Sequence, residues 1–220
     1  INFIQKHTSL EVKLLSKRIT RISQSEKNPA KGEKLVLNCS IFFSLMKMLT
    51  LATGNKHKVL EISTILAEHG IKVMAKEIDF VEPDYPELEQ VAREKARQAF
   101  EQIKKPLITE DTGVYFEAYN NFPGGLAKRV YKSIGFNGLL ALIKEAKNKK
   151  AHFKTAICFT GDGKEFHTFS GKLEGTLLDH VVQEEKDRLP YEKIIMPNGY
   201  KKALAELDVS EKNSISHRAQ

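Results

Sequence analysis

Leu49-Thr50-Leu51-Ala52-Thr53-Gly54-Asn55-Lys56-His57-Lys58 reads as a short buried strand that turns sharply into a helix. The apolar run ends at Thr53-Gly54-Asn55, and Val59, Ile62, Ile65 and Leu66 then recur at helical spacing until Gly70, a residue favoured just past a helix end. Such a junction offers backbone N–H groups and positive dipole density. Gly54 lets a phosphate approach the backbone, and Lys58, one turn in, can neutralise a phosphate oxygen. The same residues equally describe a plain capped turn, with Asn55 as the cap and Lys56 and Lys58 in solvent.

Outward from this unit, strands alternate with helices. Ile71 to Ile78 reads as a second strand, and Pro86 opens a long helix with Leu88, Val91, Ala92, Ala96, Ala99, Phe100 and Ile103 on one side. Pro106 stops that helix. A short strand, Leu107 to Thr109, feeds Glu110-Asp111-Thr112-Gly113, and another strand follows through Phe116. Pro123-Gly124-Gly125 reads as a turn before a helical stretch, and Leu139 to Ala146 as a further helix. Phe153 to Thr160 and Glu165 to Phe169, joined by Gly161-Asp162-Gly163, form a hairpin pattern, with Leu173 to Leu178 as a third strand and a short helix after Asp208. The fold class is α/β, with a mixed twisted sheet flanked by helices.

The 220 residues, 41% of them hydrophobic, suit one core. The longest apolar run, Ile41 to Met46, is broken by Ser44 and falls far short of the roughly 20 residues a membrane-spanning helix needs. Only Cys39 and Cys158 are present, too few for a disulfide framework or a cysteine zinc site, so a reduced, cytoplasmic chain is expected. Nearly all of the net charge of +7 lies in the leader. Residues 1–47 hold 9 Lys and Arg against 3 acids, while residues 48–220 hold 26 against 25. The domain is therefore expected over 48–220, the leader outside it, and neither a nucleic-acid nor a membrane partner is expected.

Three further groups could carry chemistry. Glu110 and Asp111 fall where ligand sites of open α/β sheets gather, and neighbours on a strand face opposite sides unless the chain turns there. Glu82, Asp84 and Glu87 surround Pro83 and Pro86 in an acidic loop. Lys212, Ser216, His217 and Arg218 place four donor-bearing side chains within seven positions. Each alone also fits an ordinary capped turn or solvated surface.

Together, Thr53-Gly54-Asn55-x-x-Lys58, Glu110-Asp111-Thr112-Gly113, Phe122-Pro123-Gly124, Ala205-Glu206-Leu207 and Glu211-Lys212-Asn213-Ser214-Ile215-Ser216-His217-Arg218 resemble the inosine triphosphate pyrophosphatase (Ham1-like) family over residues 48–220. The resemblance implies a Ham1/Maf-like fold, a homodimer, and Mg²⁺-dependent hydrolysis of deaminated purine nucleoside triphosphates to monophosphate and pyrophosphate. Within it, Thr53, Gly54, Asn55, Lys58 and Thr112 would hold the phosphates, and Asp111 would activate the water. Glu82, or Asp84 as its alternative, would bind the metal with Asp111. Lys212, Ser216, His217 and Arg218 would line the pocket, and Tyr191 would stack on the purine. The family's Phe-Gly-Tyr-Asp-Pro is here Leu189-Pro190-Tyr191-Glu192-Lys193, Leu126 stands where a tyrosine is usual, and Gln220 ends the chain where relatives continue into an amphipathic helix. A nucleotide-binding homologue with impaired catalysis is the alternative reading.

Overall fold

The computed structural model describes residues 48–81 and 85–220, so the leader 1–47 and the metal candidates Glu82 and Asp84 lie outside the described residues. β1 (Met48–Ala52) runs parallel to both β2 (Lys72–Lys76) and β3 (Leu107–Phe116). Beyond β3 follow β5 (Lys150–Thr160), β6 (His167–Leu177) and β7 (Ile195–Pro197), each antiparallel to the strand before it. The short β4 (Phe122–Gly124) pairs with the far end of β3, on the mixed sheet these strands form.

The apolar stripes decide which helix covers which face. α1 (Lys56–Ala67) puts Ile62 and Leu66 against Leu49, Leu51, Ile108 and Phe159. α2 (Leu88–Ile103) puts Leu88, Ala92, Ala96 and Ala99 against Leu107, Ala156 and Cys158 on the opposite face. Its small residues let the helix lie close to the strands. α3 (Ala127–Glu145) adds Leu139 and Ile143 to a third cluster with Val114, Phe116, Phe153 and Ile195. α4 (Val209–Ile215) follows Asp208, whose side chain accepts from Glu211 N at 2.8 Å and caps it, as the sequence suggests.

Two elements differ from the sequence reading. The two strands expected either side of Glu110-Asp111-Thr112-Gly113 are one strand of ten residues. Gly113 stays in the ladder opposite Lys154, and its bareness serves packing: a Cβ there would stand 2.8 Å from the Tyr115 ring and 2.9 Å from the Gly124 backbone. The helical stretch after Gly125 and the helix at Leu139 are both present, as the sequence suggests, parted within α3 at the non-helical Gly135 (φ 58°, ψ −163°). The two strands expected at Glu165 to Phe169 and Leu173 to Leu178 are likewise one, His167–Leu177, because Ser170 and Gly171 keep their pairing with β5.

This arrangement leaves a gap in the strand pairing along one edge of β3. β1 pairs with β3 only at Leu107 and Ile108, and β4 only from Val114 to Phe116. Among the described residues, positions 109–113 have no strand on that side, and the Thr53-Gly54-Asn55 loop leaves β1 there.

Candidate active site

α1 starts on a side-chain cap: Asn55 Oδ1 accepts from His57 N at 3.0 Å and Lys58 N at 3.4 Å, while Thr53 Oγ1 accepts from Asn55 N at 3.2 Å. The capped-turn reading is therefore right for Asn55 and wrong for Lys58. Lys58 Nζ reaches 2.5 Å from Glu110 Oε2 and donates to the Glu110 carbonyl at 3.3 Å, on the edge of β3 without a strand partner. Gly54 is exposed, and the Glu77 carboxylate stands 2.5 Å from where a Cβ would project.

Glu110 sits in the wall of a buried ionic cluster. Its side chain accepts from Arg218 Nε at 3.0 Å and Thr155 Oγ1 at 2.7 Å, and also from the Thr112 hydroxyl. Burial pushes this carboxyl up, but Lys58 and Arg218 outweigh it and hold the group well below the usual carboxylate range. Arg218 donates in addition to Glu61 at 3.1 Å and, through Nη2, to Thr112 Oγ1 at 3.1 Å. Lys212 bridges Glu192 at 2.5 Å and Glu61 at 3.1 Å, and Ser216 donates to Glu61 at 2.6 Å. Among the described residues, Lys58, Lys212 and Arg218 thus face Glu61, Glu110 and Glu192, so the cluster is self-neutralising.

His217 lies within this cluster, stacked on Phe153 with ring centroids 5.1 Å apart. Among the described residues neither ring nitrogen has a hydrogen-bond partner, although the residue is 2% exposed. Burial, reinforced by the Arg218 charge, pushes its pKa down to about 3. A neutral imidazole with free ring nitrogens is suited to a polar ligand.

Asp111 points to the other face of β3, where Lys95 Nζ of α2 donates to Oδ1 at 2.7 Å. Lys95 also lies over the Phe80 ring at 5.8 Å. The structure therefore gathers Lys58, Thr112, Lys212, Ser216, His217 and Arg218 around Glu110 and Glu61, and places Asp111 on the opposite face of β3.

Tyr191 is a correction. Its ring packs edge-on against Phe116 and Tyr131, and its hydroxyl donates to Ala127 O at 2.9 Å. The residue belongs to the apolar core, where its ring and its hydroxyl both find their partners. A tyrosine in an apolar cluster satisfies its hydroxyl on a backbone carbonyl, which the sequence does not reveal.

Two residues received no site role from the sequence. Glu61 binds three partners of the C-terminal segment, and its signal was its phase: three residues after Lys58 and four before Ile65, it lies on the inward face of α1. Lys95 is the partner of Asp111, and its place among Ala92, Ala96 and Ala99 on the buried face of α2 marked it.

A metal is tested by its donors. Among the described residues no three His, Cys, Asp or Glu side chains form a cage. Mg²⁺ instead commonly takes one or two carboxylates and completes its shell with substrate phosphates and water. Asp111, a hard oxygen donor beside the gap in the pairing of β3, fits that use in kind.

Relatives extend over the same region. The chain is 37% identical over 175 residues to a dITP/XTP pyrophosphatase of Methanopyrus kandleri, covering 80% of this chain and 92% of that protein. An inosine triphosphate pyrophosphatase of Schizosaccharomyces pombe is 32% identical over 180 residues, covering 80% and 91%. In structure the chain is similar to a HAM1 protein from Coxiella burnetii, with a TM-score of 0.67 at 24% identity over 79% of this chain and 93% of that one. No described helix is long and apolar enough to cross a membrane. The Ham1 family model matches residues 49–220, which takes in every element from β1 to the buried Arg218, and the chain belongs to that family.

Proposed function

We propose that the chain hydrolyses purine nucleoside triphosphates between the α- and β-phosphates, releasing pyrophosphate and favouring bases that carry an oxygen at position 6, as in inosine, deoxyinosine and xanthosine triphosphates. The observation that supports this reading is the buried Ser216-His217-Arg218 segment, tied through Glu110 to Lys58 in the first turn after Thr53-Gly54-Asn55. Relatives named as dITP/XTP and inosine triphosphate pyrophosphatases support it.

Hydrolysis at the α-phosphorus needs a held polyanion, a water in line with the leaving pyrophosphate, and relief of the charge that builds on both. Lys58 supplies positive charge at the phosphate loop, and the exposed Gly54 lets phosphate oxygens approach the backbone. A polyphosphate would compete with Glu110 for Lys58, so the resting pair keeps the lysine placed. Asp111, steadied by Lys95, is the carboxylate that accepts the proton of the attacking water. Mg²⁺, held by Asp111 with Glu82, or Asp84 in its place, would supply charge neutralisation on the phosphoryl oxygens.

Selectivity follows from donors. His217, whose ring nitrogens have no hydrogen-bond partner among the described residues, would present an N–H that pairs with a 6-oxo acceptor and faces another donor in adenine. Leaving buried donors unpaired costs about 1–3 kcal/mol each, enough for roughly tenfold or greater discrimination. The functional unit is proposed to be a homodimer.

The test is a panel of nucleoside triphosphates with Mg²⁺, read for pyrophosphate. Inosine or xanthosine triphosphate should be turned over at least roughly tenfold faster than ATP. Binding of inosine triphosphate without turnover would instead favour the impaired homologue.

A further inference from the structure

Thr112 on β3, Thr155 on β5 and Gly171 on β6 are successive ladder partners, forming one row across the sheet beneath the C-terminal segment. The first two meet the ionic cluster through their hydroxyls: Thr112 accepts from Arg218 Nη2 at 3.1 Å, and Thr155 donates to Glu110 at 2.7 Å. At the third position the segment itself comes down onto the strand. The carbonyl oxygen of His217 occupies the space a Cβ on Gly171 would need, with the His217 carbonyl carbon 3.1 Å and Gln220 Cβ 3.3 Å from that point. Gln220 Oε1 also accepts from Lys172 N at 3.3 Å, fastening the segment next to the same glycine.

Gly171 keeps ordinary strand backbone and pairs with Thr155, so its backbone angles do not require a glycine. Space does. The obstructing atom is main chain, which cannot swing aside as the end of a long side chain can, and close-packed interiors pass such a displacement on to their neighbours. Those neighbours are the His217 ring on Phe153 and the Arg218 guanidinium between Glu61 and Glu110.

We propose that Gly171 is a positioning residue for base recognition: its missing side chain seats His217 and Arg218 at the depth where both face the nucleotide. This rests on the pyrophosphatase reading above. Gly171 acts through the two residues that lie over it and does not itself touch the base.

The experiment compares Gly171→Ala with Gly175→Ala, a second glycine of β6 whose added Cβ would meet Met196 O on β7 at 2.5 Å, on a neighbouring strand rather than on the segment. For Gly171→Ala the expected results are a KM for inosine triphosphate raised roughly tenfold, a narrowed preference over ATP, and a kcat within about threefold of the parent, since misplacements of about 1 Å are costly to recognition. Calorimetric affinity for inosine monophosphate should weaken in parallel, with an unchanged far-ultraviolet spectrum. Gly175→Ala should lower Tm and leave the preference intact. Parental KM, preference and monophosphate affinity in Gly171→Ala would overturn the proposal. So would an unfolded Gly171→Ala, because the glycine would then serve the fold alone. A parent protein that neither turns over nor binds inosine nucleotides overturns this proposal together with the reading beneath it.

Discussion

Glu110 and Asp111 are adjacent in sequence and face opposite sides of β3: Glu110 meets Arg218 at 3.0 Å on the α1 side, and Asp111 meets Lys95 at 2.7 Å on the α2 side. An unbroken strand forces this division, since successive side chains alternate across the sheet. One carboxylate therefore belongs to the ionic cluster that holds the C-terminal segment, and the other lies outside it, paired with Lys95. The two can be tested separately.

Asp111→Asn keeps the shape of the side chain and removes its capacity to take a proton. kcat should fall by roughly a hundredfold or more, with affinity for inosine monophosphate nearly unchanged. Full activity in this variant would remove Asp111 from the role of base.

Glu110→Ala should act on the fold. It leaves Arg218 and Lys58 without their shared carboxylate, and breaking a buried pair in this way costs about 3–5 kcal/mol. A urea titration should show a markedly lower midpoint with an unaltered slope. A midpoint equal to the parent's would mean the cluster relaxes freely around the loss.

The acid side of the stability profile carries two signatures. His217 has its pKa depressed to about 3 by burial and by Arg218, so between about pH 6.5, the usual value, and pH 3 the unfolded chain takes up a proton that the folded chain refuses. Stability should fall as pH drops through that window. Glu110 and Glu61, both held below their usual range against burial by Arg218 with Lys58 or Lys212, add a second loss starting near pH 4, where the unfolded carboxylates protonate first. Thermal midpoints between pH 7 and pH 4 should decline, and His217→Leu should flatten the part above pH 5. A profile that rises on acidification would contradict the buried, neutral imidazole.

Tyr191→Phe separates a core role from a base-stacking one. Losing the bond to Ala127 O should cost about 1 kcal/mol of stability and leave inosine monophosphate affinity as it was. A selective loss of affinity would restore the tyrosine to the site.

The strand-to-helix junctions, the apolar stripes of α1 and α2 and the cap of α4 were legible because local rules govern them: periodicity, capping residues and glycine turns act within a few positions. Gly113 was misread for a physical reason. A glycine signals freedom, and only tertiary contacts decide whether that freedom makes a turn, a kink or room for a tyrosine ring. The motif residues of the C-terminal segment could be named from sequence, but their partners could not, because Glu61 and Glu110 lie more than a hundred positions from Arg218. Tyr191 shows the same limit, since an aromatic beside a motif looks alike whether it faces a ligand or the core.

The most direct test of the central claim is the fate of solvent oxygen when inosine triphosphate is turned over with Mg²⁺ in ¹⁸O-labelled water. Attack at the α-phosphorus predicts one labelled oxygen in inosine monophosphate and unlabelled pyrophosphate. Orthophosphate with inosine diphosphate, or label in the pyrophosphate, would contradict it.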